Sequence, residues 1–388
     1  MPDGWDVIVV GAGNAGLCAA HAASEAGASV LVLDAAPTEW LGGNSYFTAG
    51  AIRTVHGGVP DLLDVLEDRG DERLAVTDLE SYGQAEFRAD MLRVTRGRCD
   101  PELTDVLVED SRPTIAWLHR HGLRFRLMYE RQAYESAGRQ RFWGGLALGT
   151  VDGGRGLLEQ HLAEAARAGV EVRAAHAVTE LLLGADGGVE GVACRVAGTG
   201  RAELGARAVV AAAGGFEADP RRRAAHLGPG WDLAKVRGTP YNTGVVLDAL
   251  LAAGAQAHGH WSGCHAIAWD AGAPATGDRE LTNRFSRQSY PFGIVVNVRG
   301  ERFLDEGADF RNYTYARYGA EILRQPDALA AQIFDARSAR LLREEDYDAR
   351  RRSARRARRA GGGSRRRSGR RCSCGSRRPR RGSARRGR

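Results

Sequence analysis

The sequence predicts an α/β fold, and three features near the N-terminus support this prediction. The run DVIVV is continuously apolar, which is typical of a buried parallel strand. A glycine-rich turn and the helical pattern NAGLCAAHAASEAG follow it, and Gly27 is placed to end that helix. A second apolar run, SVLVL, leads to Asp34 and completes a parallel βαβ unit.

The glycines of this unit predict a Rossmann-like dinucleotide site. Gly11, Gly13 and Gly16 have the spacing G-x-G-x-x-G. The first glycine permits a tight turn, the second lets the backbone approach a pyrophosphate, and the third lets helix and strand pack closely. The helix that starts around Asn14 and Ala15 would direct free N–H groups and its positive dipole end toward the phosphates.

Asp34 lies 23 positions after the first of these glycines. At the end of the second strand, its carboxylate is expected to accept hydrogen bonds from ribose hydroxyls. This acid does not distinguish NAD from FAD, because both contain an adenosine ribose.

The segment that follows, AAPTEWLGGNSYFTAGAIRT, favours FAD. Its two small-residue turns would let the backbone lie against a flat ring such as an isoalloxazine. Its amide and hydroxyl groups would bond the polar edge of the ring or the pyrophosphate. Two surface turns with a polar cluster would explain the same residues without a ligand. The candidate contacts are Gly42, Gly43, Asn44, Ser45, Thr48, Ala49 and Gly50.

The later elements extend this fold. GGRGLLEQHLAEAARAGVEV predicts a turn, an amphipathic helix and a strand, with the helix face listed as Leu157, Leu158, His161, Leu162 and Ala165. AVTELLLGADGGVEGVACRV predicts two strands joined by a glycine-rich turn, and RAVVAAAGGF predicts a buried strand that ends on glycines. GIVVNVRGERFLDE predicts a hairpin in which Ile294, Val296 and Val298 share a face.

These motifs carry a family resemblance. LGGNS followed by AGA resembles the flavoprotein subunits of fumarate reductases and succinate dehydrogenases. The stretches GGNSYFTAGAIRTVHGG, GHWSGCHAIAWD and DEGADFRNYTYARYG are similar to those of FAD-dependent tricarballylate dehydrogenases. The flavoprotein of a cobalamin-pathway oxygenase is a near relative. The resemblance spans about residues 5–347 and implies an FAD-binding domain with a β-meander and an inserted α+β capping domain.

The resemblance also implies site residues. The turn A-A-G-G corresponds to a second flavin contact at Ala213 and Gly214. His265 takes the position of a substrate-binding histidine, and Arg311, just after the G-x-R-F-x-x-E signature, that of a proton-transfer arginine. Taken alone, His265 could be an ordinary buried histidine, and ERFLDEGADFR could be a surface cluster of ion pairs.

Arginine stays protonated in proteins, so Arg311 would need a carboxylate relay. The neighbouring candidates are Asp305, Glu306 and Asp309. Further arginines could grip substrate carboxylates with their planar guanidinium groups. These are Arg53, Arg284 and Arg287. No metal site is expected, because the H-x-H of His258 and His260 has no carboxylate at ligand spacing.

One motif departs from the family pattern. The family has T-G-D-G where this chain has Thr243, Gly244, Val245 and Val246. The change would place apolar β-branched residues in a loop that should be polar and tight. The change is either harmless or a further sign of a damaged sequence, so the geometry near that loop is left open.

The charge is distributed unevenly along the 388 residues. Nineteen of the 55 lysines and arginines lie in residues 349–388, which leaves 36 basic residues against 48 acidic ones and a net charge of −12 before them. Residues 349–388 hold no large apolar residue, so we expect them to be disordered. All their residue types are encoded by GC-rich codons, and their composition changes abruptly, which indicates a frameshift product. The alternative is an arginine-rich arm that neutralises phosphates.

Three domains are therefore expected: 1–258 binds FAD with helical excursions at about 52–144, 259–348 is a partial cap, and 349–388 is the tail. We expect the family's returning flavin segment to be missing, which makes the cap incomplete and the chain a truncated relative. The scattered cysteines and the lack of a signal-like or membrane-spanning run indicate a cytoplasmic protein.

The predicted function is that of an FAD-dependent dehydrogenase. Its substrate would be a small polycarboxylate such as tricarballylate, oxidised to cis-aconitate by hydride transfer to the flavin. Electrons would pass to a separate acceptor protein, in solution or at a membrane. The alternatives are a cobalamin-pathway flavoprotein, a ketosteroid-type flavin dehydrogenase and, more distantly, nucleic-acid binding through the basic tail. Specific nucleic-acid binding is not expected, because the acidic body would repel the polymer.

Overall fold

The computed structural model of the protein describes residues 4–142, 144–342 and residue 347. The predicted tail, 349–388, lies outside the described residues. The strands are β1 (Trp5–Val10), β2 (Val30–Leu33), β3 (Ala51–Ile52), β4 (Thr77–Asp78), β5 (Phe125–Leu127), β6 (Ala133–Ser136), β7 (Arg139–Phe142), β8 (Leu148–Thr150), β9 (Glu171–Arg173), β10 (His176–Leu183), β11 (Val189–Val196), β12 (Gly200–Ala211), β13 (Ile294–Asn297) and β14 (Ala330–Ile333).

Helices connect and cover these strands. The α-helices are α1 (Asn14–Glu25), α2 (Val59–Leu62), α3 (Gln84–Thr95), α4 (Pro101–Arg120), α5 (Tyr129–Gln132), α6 (Gly153–Arg167), α7 (Pro220–Leu227), α8 (Val245–Ala252) and α9 (Arg311–Leu323). Short 3₁₀ helices add single turns, among them Gly43–Phe47 directly after the first βαβ unit.

The central sheet has the strand order β10-β11-β12-β1-β2-β9. Strands β12, β1, β2 and β9 pair in parallel, while β10, β11 and β12 form an antiparallel meander. β12 belongs to both parts, because Gly205 pairs with Gly191 of β11 and Val210 pairs with Val9 of β1. The α/β fold with a Rossmann-like unit and a β-meander is confirmed.

Burial follows the apolar pattern of the first two strands. Ile8 and Val9 of β1 are fully buried, and every residue of β2 is buried. β12 differs from the prediction, since Val210 is 37% exposed. Pairing at both edges of a strand does not by itself cover its two faces, which is why an apolar strand inside the sheet can remain partly open.

Helix α1 forms over the predicted residues. Its buried face comprises Gly16, Leu17, Ala20 and His21, and the chain turns out of the helix at Gly27, whose φ is 85°. Only glycine adopts this left-handed conformation without steric cost. The buried face packs against α6, and the two helices bring side chains from distant parts of the chain together.

The predicted helical excursion contains more than helices. α3 and α4 are present, and Asp100 caps α4 by accepting a hydrogen bond from Leu103 N at 3.0 Å. The interval also carries two small sheets, ordered β3-β8-β5 and β4-β7-β6, which include strands from both of its ends. The excursion therefore folds back on itself, and the domain boundaries remain predictions.

The hairpin predicted at residues 294–303 is present as a turn, in which Asn297 N donates to Glu301 O at 2.9 Å, but it is not the main pairing of β13. β13 pairs with β14, and the returning chain adds only a bridge between Val296 and Arg302. The Val295 N–H donates instead to the Glu306 carboxylate at 2.6 Å, which replaces a ladder bond. Val295 is buried while Ile294 is 42% exposed, because the opposite face packs on the cluster of Tyr290 and Tyr318.

No helix within residues 4–142 and 144–342 combines the length and the apolar character needed to cross a membrane.

Candidate functional site

Two glycines of the first turn are required by the packing of the protein itself. Gly11 has φ 108°, and a Cβ there would overlap the carbonyl of Ala212. A Cβ on Gly16 would overlap the Gly11 carbonyl, so α1 could not approach β1. These contacts match the turn and packing roles predicted for the two positions.

Gly13 is in a different situation. Its φ is −80°, and an added Cβ would meet only Ser45 Oγ at 3.5 Å and Gly42 O at 3.8 Å. Both are ordinary contacts, so neither strain nor packing explains the missing side chain. A small residue at an open helix N-terminus fits a pyrophosphate that approaches the backbone closely. The residues present therefore fit a dinucleotide here.

Ser45 joins the two predicted loops. Its Oγ accepts a hydrogen bond from the Asn14 N–H at 3.0 Å. The Asn14 N–H, which was expected to face a phosphate, is thus bonded within the protein. Other first-turn N–H groups, such as that of Ala15, have no partner within a helix and can still donate to a phosphate. Ser45 therefore fixes the loop beside the N-terminus of α1.

Asp34 directly follows β2, and hydrogen bonds from neighbouring main-chain N–H groups hold its carboxylate in place. Its Oδ2 accepts from Ala12 N and its Oδ1 from Ala36 N, each at 2.8 Å. Burial raises the pKa of Asp34, and these two N–H groups oppose the rise. Each oxygen keeps a further lone pair, so the carboxylate can still accept from a ribose.

The turn at residues 48–50 is largely occupied by its own contacts. Thr48 Oγ1 donates to Ser45 O at 2.9 Å and accepts from Gly50 N at 3.1 Å. Gly50 has φ 70°, and a Cβ there would overlap Thr150 Oγ1, while the Ala49 carbonyl packs beside the start of α6. Thr48 therefore stabilises the turn.

Asn44 links this loop to the segment after the meander. Its Oδ1 accepts from Thr239 N at 3.0 Å, and its Nδ2 donates to Glu217. The same carboxylate accepts from Asn242 Nδ2 at 2.9 Å. Gly214, with φ 73°, lies so close that a Cβ would be 2.7 Å from that amide nitrogen.

The structure thus brings Asn44 and the Ala213–Gly214 turn together through groups that sequence reasoning missed. Glu217 lies three residues after Gly214, in GGFEAD, and this acid beside a glycine turn was the available signal. The loop around Gly42 and Gly43 lies on the same side, since a Cβ on Gly43 would find Asn242 Oδ1 at 4.0 Å.

The departure at residues 243–246 leaves a tight turn in place. Gly244 adopts φ 79° and begins α8, and a Cβ there would be 2.9 Å from Phe216 Cβ. Val246 packs against the sheet core, whereas Val245 is 37% exposed. Both valines therefore lie in the first turn of the helix.

A group of cationic side chains lies next to this loop. Arg237 directly precedes Gly238, whose added Cβ would overlap the Asn44 amide. Its guanidinium donates to Asn283 Oδ1 at 3.3 Å, and within the described ranges no carboxylate lies at ion-pairing distance from it. Burial, and then the charge of Arg131, lower the pKa of Arg237. A partly buried cation that has only an amide partner is a candidate anion site.

His265 shares this environment. Its ring meets that of Tyr315 edge-on, with the centroids 5.2 Å apart. Desolvation by the surrounding protein, and then the charge of Arg237, lower the pKa of His265 to about 4. The side chain is still open to solvent, so a neutral imidazole faces the space beside the guanidinium.

Arg311 reaches the same group from α9. It is the first residue of that helix, and Tyr315 lies one turn later on the same side. Arg311 Nη2 donates to Arg131 O at 3.4 Å, and Asn312 Nδ2 donates to Gln132 Oε1 at 3.1 Å. His265 and Arg311 are thus both next to α9, His265 through the Tyr315 ring, and the excursion supplies part of the surroundings of Arg311.

The carboxylates proposed as a relay bond other groups. Asp305 Oδ1 accepts from Gly307 N at 3.0 Å, and Glu306 binds Arg302 and Val295 N. Asp309 lies 3.6 Å from Arg93 of α3.

Two of the three arginine candidates for carboxylate binding are also engaged. Arg53 bonds Asp90 at 3.2 Å and the Tyr82 hydroxyl at 2.8 Å, and Arg287 bonds Asp270 at 2.5 Å. The main-chain oxygen of the third, Arg284, accepts a hydrogen bond from Arg287 Nη1 at 3.1 Å. Arg131 and Arg237 were missed, since the single arginines in YERQAY and VRGTPYN have no distinctive spacing.

Comparison with known proteins finds a matching family model and similar sequences. The family model described as FAD binding domain matches residues 6–345. A probable fumarate reductase of Shewanella frigidimarina is 26% identical over 367 residues, which cover 89% of this chain and 56% of that protein. The 4-oxocyclohexanecarboxylate 2-dehydrogenase of Sinomonas cyclohexanicum is 31% identical over 363 residues, which cover 79% of this chain and 60% of that protein.

Among solved structures, the open conformation of a flavocytochrome c3 fumarate reductase matches with a TM-score of 0.63 and 25% identity. The match covers 88% of this chain and 54% of that one. The chain therefore spans between half and two thirds of the length of these similar proteins.

Proposed function

The chain belongs to the FAD binding domain family, and from this premise we propose that it is an FAD-dependent oxidoreductase that removes two hydrogens from a small polycarboxylate. The proposed substrate is tricarballylate, which would be oxidised to cis-aconitate. The observation that carries this proposal is Arg237, a partly buried cation with an amide partner, placed beside the Asn44 loop.

The residues around Arg237 have the chemistry for such a substrate. Its guanidinium can bind a carboxylate through two parallel hydrogen bonds. Arg131 and Arg311 add positive charge, so a substrate with several carboxylates would be neutralised at more than one point. Neutral His265 can donate one hydrogen bond and accept another, which would orient the carbon chain.

Oxidation to an alkene removes one hydrogen as hydride and the neighbouring one as a proton. Bound FAD supplies the hydride acceptor. We assign Arg311 to this proton transfer: it would take the substrate proton while releasing one of its own to water, so that it stays cationic. Arg131 and Arg237 would stabilise the negative charge that develops on the adjacent carboxylate. A separate acceptor protein is proposed to reoxidise the flavin.

The visible absorption spectrum of the FAD-loaded chain tests this proposal. Anaerobic tricarballylate should bleach the oxidised-flavin bands and yield one equivalent of cis-aconitate. An Arg237→Met variant should retain the bands but need far more substrate to bleach them. Bands that persist in the wild-type chain at saturating tricarballylate would contradict the proposed substrate.

A cyclic ketone is the second candidate substrate class. The identity of 31% to 4-oxocyclohexanecarboxylate 2-dehydrogenase favours it. A ring ketone with one carboxylate would use fewer cations than a tricarboxylate. In the same anaerobic experiment, bleaching by 4-oxocyclohexanecarboxylate but not by tricarballylate would select this alternative.

A further inference from the structure

Three histidines stack in the interface of α1 and α6, away from the substrate group. His21 and His161 are at most 1% exposed, and His21 Nε2 lies 3.0 Å from His161 Nδ1. His161 Nε2 in turn lies 3.0 Å from Asn14 Oδ1, at the first residue of α1. His121 stacks on the far side of His21, with the ring centroids 5.7 Å apart.

The hydrogen bonds of this chain of rings can run in only two directions. In one, His21 donates to His161, and His161 donates to Asn14 Oδ1; the nitrogen left over, His21 Nδ1, is then a bare acceptor. In the other, His161 donates to His21, and the Asn14 amide is flipped so that its nitrogen donates to His161. His21 Nδ1 is then a buried N–H without a partner. His21 Nδ1 is buried and has no partner in the described part of the chain.

The first direction is favoured for two reasons. A buried donor without a partner is rarer than a buried acceptor without one. The thiol of Cys18, 4.0 Å from Asn14 Oδ1, also points its weak donor at the same oxygen. The Asn14 amide is therefore held with its oxygen toward His161.

This orientation determines what Asn14 presents to a ligand. Its Nδ2 has no protein partner among the described residues and lies at the N-terminus of α1, next to open Gly13. We propose that His161, backed by His21, is a positioning residue for FAD that aims the Asn14 Nδ2 at the pyrophosphate. This inference rests on the FAD-binding family and not on the proposed substrate.

Neutral rings keep the direction of the chain fixed. Burial, and then the neighbouring histidines, lower the pKa of His161 to about 3, and burial lowers that of His21. Both rings therefore remain uncharged at neutral pH, and His161 keeps a single N–H, which points at Asn14.

A double-mutant cycle tests the proposal on the full chain, by titrating FAD without substrate and following quenching of flavin fluorescence. Asn14→Ala should weaken FAD binding roughly ten- to a hundredfold, the range of a hydrogen bond to a charged group. His161→Phe should weaken it by up to about tenfold, because the amide is still present but unheld. The double variant should bind as Asn14→Ala does, since His161 acts only through Asn14.

Two further measurements separate positioning from packing. His161→Gln should restore most of the affinity, because its amide nitrogen can donate to Asn14 Oδ1 as His161 does. Riboflavin, which has no pyrophosphate, should bind all variants as it binds the wild-type chain.

Specific outcomes would overturn the proposal. Losses that add in the double variant would show that His161 acts through packing alone. Unchanged FAD affinity in Asn14→Ala, or a wild-type chain that binds FAD no more tightly than riboflavin, would show that Asn14 does not contact the pyrophosphate.

Discussion

Arg223 and Arg237 stand fourteen residues apart in the chain, and their surroundings differ in a way that separates structure from function. Arg223, on α7, is 7% exposed and donates to the carbonyls of Glu217 and Trp231 at 2.5 and 2.9 Å. It also donates to Asp232 O and Ala234 O, each at 3.0 Å. Arg237 has a single side-chain amide as its partner. A guanidinium whose N–H groups are bonded to the protein stabilises the fold, whereas one that keeps unused N–H groups can still bind a ligand.

The largest effect is expected when the hydrogen bonds of Arg223 are removed. Arg223→Met would leave several carbonyls without their donor, so the free energy of unfolding should fall by roughly 3–5 kcal/mol. Chemical denaturation followed by tryptophan fluorescence measures this change. A loss below about 1 kcal/mol would mean that water replaces the guanidinium at no cost and that saturation is no sign of a structural role.

Arg237→Met should show the opposite profile. Loss of a bidentate charged contact should weaken tricarballylate binding to the FAD-loaded chain roughly a hundredfold, or about 2.7 kcal/mol. The free energy of unfolding should stay within about 1 kcal/mol of the wild-type value, because the cation has no ion-pair partner to lose. Isothermal titration and denaturation of the same preparation measure both quantities.

Arg53→Met is the matched control for that experiment. Arg53 was an equal candidate by sequence, but it bonds Asp90 and Tyr82. Its removal should leave tricarballylate affinity within about twofold. Equal losses of affinity in the Arg53 and Arg237 variants would assign the effect to net charge and contradict a specific site.

Sequence reasoning reached the cofactor side of the molecule more completely than the substrate side. The roles of Gly11 and Gly16 could be predicted because backbone contact limits those positions to glycine, and the G-x-G-x-x-G spacing records that limit. The role of Arg237 could not be predicted, since its sequence neighbours do not indicate which arginines form ion pairs within the protein and which keep no carboxylate partner. Arg53 and Arg287 acquire their carboxylate partners only through folding. The pairing of β13 with β14 was missed because that strand lies more than thirty residues away in the chain.

The buried histidine His161 should make the free energy of unfolding depend on pH. His161 is fully buried and has a pKa of about 3, whereas an unfolded chain protonates its histidines near pH 6.5. Between these values the unfolded state binds more protons, so the free energy of unfolding should fall as the pH is lowered from about 6.5 toward 3. The slope from one such histidine is at most about 1.4 kcal/mol per pH unit.

His161→Phe should therefore give a shallower fall over the same pH window, although it is less stable at neutral pH. Denaturation curves of the two proteins, collected from pH 7 to pH 4, measure the difference in slope. Parallel curves would mean that the wild-type interface opens and admits protons, which would contradict a rigidly neutral ring.

The smallest effect, on both stability and flavin reduction, is expected at Asp309. The sequence offered this acid as a proton relay for Arg311, but its carboxylate lies 3.6 Å from Arg93, and both side chains are more than 40% exposed. An exposed pair of this kind contributes about 0.2–1 kcal/mol, so Asp309→Asn should change stability little and the rate of flavin reduction by no more than about twofold. Glu306→Leu is the contrasting variant, because it removes the buried acceptor of Val295 N, and this loss should cost about 1–3 kcal/mol of stability. Anaerobic stopped-flow measures the rate of flavin reduction in both variants, and chemical denaturation measures their stability. A tenfold slower reduction in Asp309→Asn at unchanged stability would mean that the acid swings from Arg93 to Arg311 when substrate binds, and that the relay inferred from sequence forms only in the complex.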